Sequence, residues 1–453
     1  MNSADRGREV REVHQVREVR QENKGRGGCS FGPISGDELI AFSRGADCPQ
    51  GCWQQDAGQI RLARMRGHET ECLGVRDAAG RLVCACVIIY LKGRFGMDGS
   101  VYYAPLTAVI DGRDYGEDDA VIAAMTSAIR ESAKRHHAIS VSIWPNVPHR
   151  LYDAQGRPTD EANERIVTAY QRAGWAHDGY HTGYDLVCQW SFVKDLTGIT
   201  DGASLMASYG KRGQWSVKRS QSMGVHVREI GEDEFDVFSR IESDTAARRG
   251  FTTRDEAYFH QFKKAYGRDA HFMLAEIRVD EYKADMTAKR DALAEKVAQL
   301  QARYDARPTT RIERQLGEER RNLAAADKRL SEAATLFAGK GDVVPAAVSL
   351  FVSHPHEVIY QYSGSVEQYK PFYAPALIQY EAMLHLCVEQ GIARYSFGGI
   401  SGVFDDPNDE GRGVLEFKQG FNGYAEELVG KFTLETNPFM CAIQRLAHRL
   451  LGR

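Results

Sequence analysis

The most informative stretch of the sequence reads Tyr395-Ser-Phe-Gly-Gly-Ile400, followed by an acidic loop and then Phe417-Lys-Gln-Gly-Phe421. A short run with β-strand character ends in two glycines, where a backbone can approach a partner closely. The loop, residues 405–411, is polar and rich in turn-forming residues. Lys418 stands alone between aromatic residues and a glycine, a pattern that favours a cation presented to a ligand. The stretch therefore predicts a binding site beside the end of a strand.

The length and composition are those of a globular protein with more than one core. The chain has 453 residues, of which 43% are apolar and 26% are charged. A chain of this length exceeds one ordinary hydrophobic core, so we expect two domains or more. The net charge of -4 excludes a global basic field that would attract nucleic acid. Any nucleic-acid binding must then come from a local basic patch.

Nine cysteines are scattered through the chain without paired metal-ligand spacing. Cys48 and Cys52, and Cys84 and Cys86, are close pairs, but neither has a matching second pair, so no zinc or other metal site is predicted. Buried reduced thiols are typical of a reducing compartment. The chain has no apolar run of about 18 residues and no apolar signal core at its start, so we expect a cytoplasmic protein.

The chain divides into a tail and two regions of mixed character. Residues 1–33 are polar, with Arg-Glu-Val repeated every three residues, and are predicted to be a disordered tail; a partner-binding role is the alternative. Residues 34–150 show two strands, a helix and a further strand, the order of a GNAT-type acyltransferase module. A similar mixture recurs in residues 151–277 and 341–429. We therefore predict an α/β (α+β) fold with two tandem GNAT-like modules.

Residues 278–340 carry the clearest helical pattern in the chain. Apolar residues alternate at spacings of three and four on both sides of Arg307-Pro-Thr-Thr310, as an antiparallel coiled-coil arm requires. Each half, about 27 residues, would reach roughly 40 Å. Four arginines cluster at the predicted tip: Arg303, Arg307, Arg311 and Arg314. From the residues alone, the arm could serve dimerisation, act as a spacer or bind RNA.

Two further motifs complete a resemblance to a known family. They are Tyr360-Gln-Tyr-Ser-Gly-Ser365 and the segment from Thr245 to Tyr258, which contains Arg254. With the stretch around Lys418, they resemble the Fem family of aminoacyl-tRNA-dependent peptidyltransferases, which build the cross-bridges of bacterial peptidoglycan. The resemblance covers about residues 42–438.

The resemblance implies the partners of the reaction. The donor would be a charged tRNA, bound in part by the basic tip of the arm. The acceptor would be lipid II or UDP-MurNAc-pentapeptide, and no cofactor or metal would be needed because the ester is already activated. The position in the cell would be cytoplasmic, or at the inner face of the membrane where lipid-linked substrate lies. Residues 430–453 would pack back onto the first module.

The resemblance also implies roles for single residues. Lys418 and Asp111 are the expected catalytic residues. Lys418 would stabilise negative charge on the ester carbonyl or hold a substrate phosphate, and Asp111 would orient or deprotonate the attacking amine. The expected substrate-binding residues are Arg254, Tyr258, Tyr103, Phe417, Tyr362 and Arg64.

Arg254 and Tyr258 are four residues apart, so they could share one helix face and bind one ligand, and the planar guanidinium of arginine suits a phosphate. Structural explanations compete with several of these roles. Arg254 could instead pair with a carboxylate. Asp111 could be a helix cap, and the tyrosines could belong to an aromatic core.

Two other functions compete with aminoacyl transfer. An acyl-CoA-dependent GNAT enzyme would need Arg/Gln-x-x-Gly-x-Gly/Ala opening a helix, to hold the pyrophosphate on backbone amides. The nearest match, Asn408-Asp-Glu-Gly-Arg-Gly413, lies in the acidic loop, which disfavours a pyrophosphate. A non-enzymatic coiled-coil adaptor that binds RNA would explain the arm but not Arg254 or Lys418.

Overall fold

The computed structural model describes residues 23–24, 28–93 and 96–450 of the chain. The strands are β1 (Asn23–Lys24), β2 (Ser30–Pro33), β3 (Glu69–Arg76), β4 (Leu82–Lys92), β5 (Met97–Tyr102), β6 (Leu106–Thr107), β7 (Val109–Ile110), β8 (Arg113–Asp114), β9 (Ala138–Trp144), β10 (Pro148–Asp153), β11 (Ala176–His177), β12 (Trp190–Asp195), β13 (Val225–Glu229), β14 (Ala270–Arg278), β15 (Val343–His354), β16 (Glu357–Ser365), β17 (Arg394–Gly399), β18 (Tyr424–Leu428) and β19 (Phe432–Glu435). The helices are α1 (Gly36–Arg44), α2 (Ala57–Met65), α3 (Asp119–Arg135), α4 (Glu164–Arg172), α5 (Gly202–Ala207), α6 (Lys211–Gln221), α7 (Phe235–Arg249), α8 (Glu256–Tyr266), α9 (Val279–Ala306), α10 (Thr310–Leu336), α11 (Ala374–Ala382), α12 (Arg412–Gln419) and α13 (Pro438–Leu450).

The strands form two large mixed sheets and one small hairpin. The first sheet has the order β1-β2-β3-β4-β5-β9-β19-β11, with β6 paired to β4. The second has the order β10-β18-β12-β17-β16-β15-β14-β13, and β7 pairs only with β8. Each large sheet contains one parallel pair: β5 with β9, connected through α3, and β16 with β17, connected through α11.

The two sheets repeat one plan that is not visible as a repeat in the sequence. Three antiparallel strands, β3 to β5 or β14 to β16, are followed by a crossover helix and a parallel strand. This plan is the core of a GNAT-like module, and the predicted fold class is confirmed. In the second sheet, only Val358 and Ile359 of β16 are in register with β17, so the two strands separate beyond them.

Strands are exchanged between distant parts of the chain. β19, near the C-terminus, pairs with β9 in the first sheet, and β11 pairs with β19. The α4 residues Ile166 and Tyr170 are buried in the same core as Phe432 of β19. We therefore propose that the first module includes residues 164–177 and 430–450 as well as the region before residue 148.

The predicted tail is partly corrected by the structure. Residues 30–33, assigned to the disordered tail, form strand β2 and pair with β3, because Phe31 is buried in the core of the first module. The prediction for residues 1–22 and 25–27 lies outside the described residues.

Two long helices occupy the place of the predicted arm. α9 and α10 have 28 and 27 residues, are joined by a three-residue link and pack against each other. Leu300 and Leu316 are buried, and the Lys296 ammonium lies 2.5 Å from the Glu319 carboxylate on the other helix. At the base, Met286 and Phe337 join the core of the second module. The helices are thus anchored at one end.

Polar contacts join the two modules on one side of the molecule. Arg44 of the first module pairs with Asp56 at 2.7 Å and with Asp269, from the second, at 2.6 Å. Beside them His354 is fully buried, with Nε2 3.4 Å from the Ser43 hydroxyl, and burial lowers the pKa of its imidazole to about 3. These contacts hold this part of the first module against the second.

Candidate functional site

A crevice of about 420 Å³, part of it open to solvent, lies against β12, β16, β17 and β18 of the second sheet. We call it the central crevice. Its walls come from both modules, so neither module forms it alone. The lining residues are Trp53, Tyr103, Asn146, Cys188, Ser191, Glu357, Ile359, Arg394, Ser396, Gly398, Gly399, Glu426 and Leu428.

Lys418 lies directly behind the wall of the central crevice. It stands in α12 with only 4% of its surface exposed, and Nζ donates hydrogen bonds to the carbonyl oxygens of Gly398, at 3.2 Å, and Gly399, at 2.6 Å. Burial lowers the pKa of the Lys418 ammonium to about 7. The two halves of the stretch 395–421 therefore meet, but Lys418 is a buried lysine held by backbone rather than an exposed cation.

The two glycines permit this close approach. Gly398 has a φ of +72°, a conformation that glycine adopts without strain. A side chain on Gly399 would place its Cβ 2.3 Å from Cys188 Sγ, closer than two such atoms can lie. The glycine pair thus lets β17 pass between Cys188 and Lys418.

A charged network that sequence reasoning missed lines the same crevice. The Arg394 guanidinium donates to both carboxylate oxygens of Glu426, at 2.7 Å each, and to Glu357 Oε2 at 3.3 Å. Burial raises the pKa of Glu357, while Arg394 opposes the rise. In the sequence, each of three apolar strands carries a charged residue at its start or within it. Burying such a charge is costly in free energy unless it is paired, so this pattern was the available signal.

Arg254, Tyr258 and Tyr362 form a second cluster, which we call the arginine–tyrosine cluster. The Tyr258 and Tyr362 hydroxyls are 3.2 Å apart, and the Arg254 guanidinium carbon lies 5.3 Å from the centre of the Tyr258 ring. The expectation that Arg254 and Tyr258 share one helix is wrong, because α8 begins at Glu256, after the Asp255 cap. A cation–π contact brings them together instead.

A second arginine, Arg66, joins this cluster, although the residue expected to bind substrate was Arg64. The guanidinium carbon of Arg66 lies 5.6 Å from the centre of the Tyr258 ring. Arg64 is exposed and donates from Nε to the Thr70 hydroxyl at 2.9 Å. The structure thus brings Arg66, rather than Arg64, to the arginine–tyrosine cluster.

The remaining aromatic candidates have different surroundings. Tyr103 has a left-handed φ of +52°, lines the central crevice, and its pKa is raised by burial. Phe417 packs against Phe421, with ring centres 5.3 Å apart, at the edge of the core of the second module. Only Tyr103 of these two lies in the wall of the crevice.

Asp111 is not brought to the crevice. It forms, with Gly112, the turn between β7 and β8, and both residues have positive φ, as an Asp-Gly hairpin turn requires. Its carboxylate is 87% exposed and lies 3.4 Å from the Arg81 guanidinium. The predicted role as a catalytic base therefore has no support in the geometry. A turn, rather than the helix cap considered above, accounts for this residue.

The four arginines at the link between α9 and α10 are exposed. Among the residues that the structure describes, Arg303, Arg307, Arg311 and Arg314 form no ion pair. Within the same residues, no group of three or more His, Cys, Asp or Glu side chains could hold a metal ion, and the nine cysteines are free thiols.

Comparison with known proteins identifies the class to which this fold and site belong. The family model described as the FemAB family matches residues 34–449. The aminoacyltransferase FemB of Staphylococcus epidermidis is 28% identical over 376 residues, which cover 82% of this chain and 87% of the relative. The aminoacyltransferase FemA of Staphylococcus aureus is 26% identical over 413 residues, 90% of this chain and 95% of the relative.

A solved structure shares the fold. The crystal structure of FemX superposes with a TM-score of 0.69 at 18% sequence identity, covering 93% of this chain and 100% of that one. This likeness shows that the two chains share a fold. Since the family model matches most of this chain, the chain belongs to the FemAB family.

Proposed function

We propose that this chain transfers an amino acid from aminoacyl-tRNA to the stem-peptide amine of a peptidoglycan precursor, and so builds the interpeptide bridge. The match to the FemAB family over residues 34–449 carries this proposal. The acceptor would be lipid II or UDP-MurNAc-pentapeptide. Aminoacyl-tRNA would be a co-substrate, and the chemistry calls for no cofactor because the ester is already activated.

The reaction is the aminolysis of an ester. The neutral acceptor amine attacks the carbonyl carbon, a C–N bond forms, the C–O bond to the tRNA ribose breaks, and one proton passes from nitrogen to the leaving oxygen. We propose that Lys418 stabilises the negative charge that develops on the ester carbonyl oxygen. A protonated lysine has three N–H donors; two are bound to Gly398 and Gly399, so one is left for substrate. Donors fixed in this way stabilise a transition state strongly.

The arginine–tyrosine cluster is our candidate for the phosphates of the acceptor. Arg254 and Arg66 place two guanidinium groups around one aromatic ring. Trp53 connects the cluster to the central crevice, since it belongs to the core against which Tyr258 and Tyr362 pack and also lines the crevice. A precursor bound by its phosphates at the cluster would extend its stem peptide towards Tyr103 and Lys418.

A second crevice is our candidate place for the other substrate. It has a volume of about 490 Å³, part of it open to solvent, and shares Cys188 and Leu428 with the central crevice, so the two adjoin. Trp144, Tyr184 and Lys431 are among its lining residues. Two adjoining crevices suit a reaction in which two large substrates must meet.

The exposed arginines of the link are our candidate contacts for tRNA. We expect Arg307→Ala with Arg311→Ala to raise KM for charged tRNA about 10-fold without changing kcat, and to lower the slope of log affinity against log salt by about 2. The control is Lys328→Ala, which removes an exposed lysine from α10 far from the link. An unchanged KM and salt slope in the double variant would contradict the assignment.

Contact with a membrane is a further part of the proposal, because lipid II lies in one. No helix among residues 23–24, 28–93 and 96–450 is long and apolar enough to cross a bilayer. α13 carries exposed apolar side chains at Phe439 and Leu446, and we propose it as a peripheral contact. Sedimentation of the chain with vesicles that contain lipid II tests this contact.

The transfer assay tests the function itself. Purified protein is supplied with a pool of tRNAs charged with radiolabelled amino acids and with UDP-MurNAc-pentapeptide or lipid II. We expect label on the acceptor, and the labelled product identifies the amino acid. Absence of transfer from every charged tRNA to both acceptors would refute the proposal, and turnover of acetyl-CoA in its place would favour an ordinary GNAT enzyme.

A further inference from the structure

The central crevice offers a ligand hydrogen-bond acceptors from its glutamate side chains. Glu357 is 8% exposed and lines the crevice; its Oε2 accepts from Arg394, while Oε1 has no hydrogen-bond partner among the residues the structure describes. Glu426 differs, because Arg394 occupies both of its oxygens. One oxygen of this largely buried side chain is thus left for a ligand.

The charges of the wall favour a cation at this point. Two carboxylates, Glu357 and Glu426, face one guanidinium, that of Arg394, which leaves a net negative charge. A primary ammonium has three donors and no acceptor, so it is the chemical complement of such a wall.

We infer that Glu357 binds the acceptor substrate through its primary ammonium and removes the proton from that group before attack. The inference rests on the proposed function, which requires a peptide amine as nucleophile. The proton passes from nitrogen to Glu357 Oε1, the nitrogen lone pair is set free, and this lone pair forms the C–N bond. Arg394 acts as a positioning residue, since it holds Oε2 and leaves Oε1 to the substrate.

The surroundings of Glu357 make its carboxylate a stronger base than an exposed glutamate. The charged groups that act on the Glu357 carboxyl are Arg394 of β17 and Glu426 of β18. The other ionisable groups around Glu357 are Tyr103, Cys52 and the Cys188 thiol that lines the same crevice. Burial raises the pKa of the Glu357 carboxyl above its usual value. A carboxylate with a raised pKa is a stronger base, and bases matched to the working pH are the more effective.

Glu357→Gln tests the inference, because it keeps the size of the side chain and removes its charge. We expect kcat/KM for UDP-MurNAc-pentapeptide to fall about 100-fold at pH 7 and the pH optimum to move to more alkaline values, where the amine loses its proton unaided. Hydroxylamine, which is unprotonated at neutral pH, serves as a second nucleophile. Enzyme-dependent formation of the hydroxamate should be almost unchanged.

The matched control is Glu367→Gln, since Glu367 is an exposed glutamate of the same module outside the crevice. Equal losses with the peptide amine and with hydroxylamine, or an unshifted pH profile, would overturn the assignment of Glu357. A wild-type protein that transfers to neither nucleophile would refute the proposed function instead.

A second measurement needs no variant and therefore does not depend on folding of the glutamine variant. Wild-type protein should bind UDP-MurNAc-pentapeptide about 10-fold more tightly than the same precursor acetylated on the stem-peptide amine, since a charge-assisted hydrogen bond is lost. Equal affinities for the two precursors would contradict an ammonium site at Glu357.

Discussion

Replacing Lys418 with methionine is expected to reduce kcat for aminoacyl transfer about 100-fold to 1,000-fold, the effect of removing one fixed donor from a transition state. The same change should stabilise the fold by about 1 kcal/mol or more, because a buried ionisable group is replaced by an apolar one of similar length. Steady-state transfer assays and denaturant unfolding at pH 7 measure the two effects. Opposite signs for activity and stability are the mark of a residue kept for its chemistry.

The stability effect should depend on pH in a defined direction. Burial lowers the pKa of folded Lys418 from 10.5 to about 7. Between these values the unfolded chain binds a proton that the folded chain does not, so the stability of the wild-type protein rises with pH over this window. Lys418→Met lacks this dependence, and its advantage over wild type should shrink as pH rises from 7 towards 10.

Lys194 provides a matched control for Lys418. It is also 4% exposed, burial also lowers the pKa of its ammonium, to about 8, and its Nζ lies 3.5 Å from the Asn422 carbonyl oxygen, away from the crevice. Lys194→Met should stabilise the fold in the same way and leave transfer intact. If both methionine variants lose activity equally, or neither does, Lys418 has no special part in the reaction.

Local patterns account for the parts of the molecule that could be predicted from the sequence. The strands and crossover helix of the first module and the two helices at 278–340 depend on short spans with strong periodicity or turn residues. Asp111 shows the opposite case. The Asp-Gly pair in the sequence is itself the signal for the hairpin turn that the structure shows, whereas the family resemblance implied a catalytic role for Asp111.

Long-range contacts account for what could not be predicted. Glu357, Arg394 and Glu426 lie on three strands that are far apart in the chain, and only the order β18-β12-β17-β16 brings them together. Arg66 reaches Tyr258 because α2 packs against α8 across the two modules. β19 enters the first sheet from the other end of the chain. No local periodicity encodes such pairings.

Arg394→Met is expected to have the largest effect on stability. It removes the only cation that Glu357 and Glu426 contact among the described residues, and leaves two carboxylates facing each other in a partly buried crevice. We expect the free energy of unfolding to fall by about 3 kcal/mol at pH 7, the cost of breaking a buried pair by removing one partner. Denaturant unfolding of both proteins measures the difference.

The pH dependence of this loss separates charge from packing. Without Arg394, the pKa of the Glu357 carboxyl should rise further above that of the unfolded chain, because Glu357 loses its cation and keeps the like charge of Glu426 beside it. The contribution of Glu357 to stability is then highest below the unfolded pKa and falls as pH rises through the raised folded pKa. The deficit should therefore shrink on acidification from pH 7 to pH 5. Adding Glu357→Gln and Glu426→Gln should restore most of the stability at pH 7.

Arg412 is the control, since its side chain has the same exposure as that of Arg394, 33%, but pairs with the more exposed Glu416 of its own helix. Arg412→Met should lower the free energy of unfolding by about 1 kcal/mol or less, because the charge of Glu416 stays in contact with water. A deficit in Arg394→Met that is independent of pH, and that the two glutamine changes do not relieve, would assign Arg394 to packing alone. In that case Glu357 would not depend on Arg394 for its position, and the ammonium site would have to be built by other groups of the crevice.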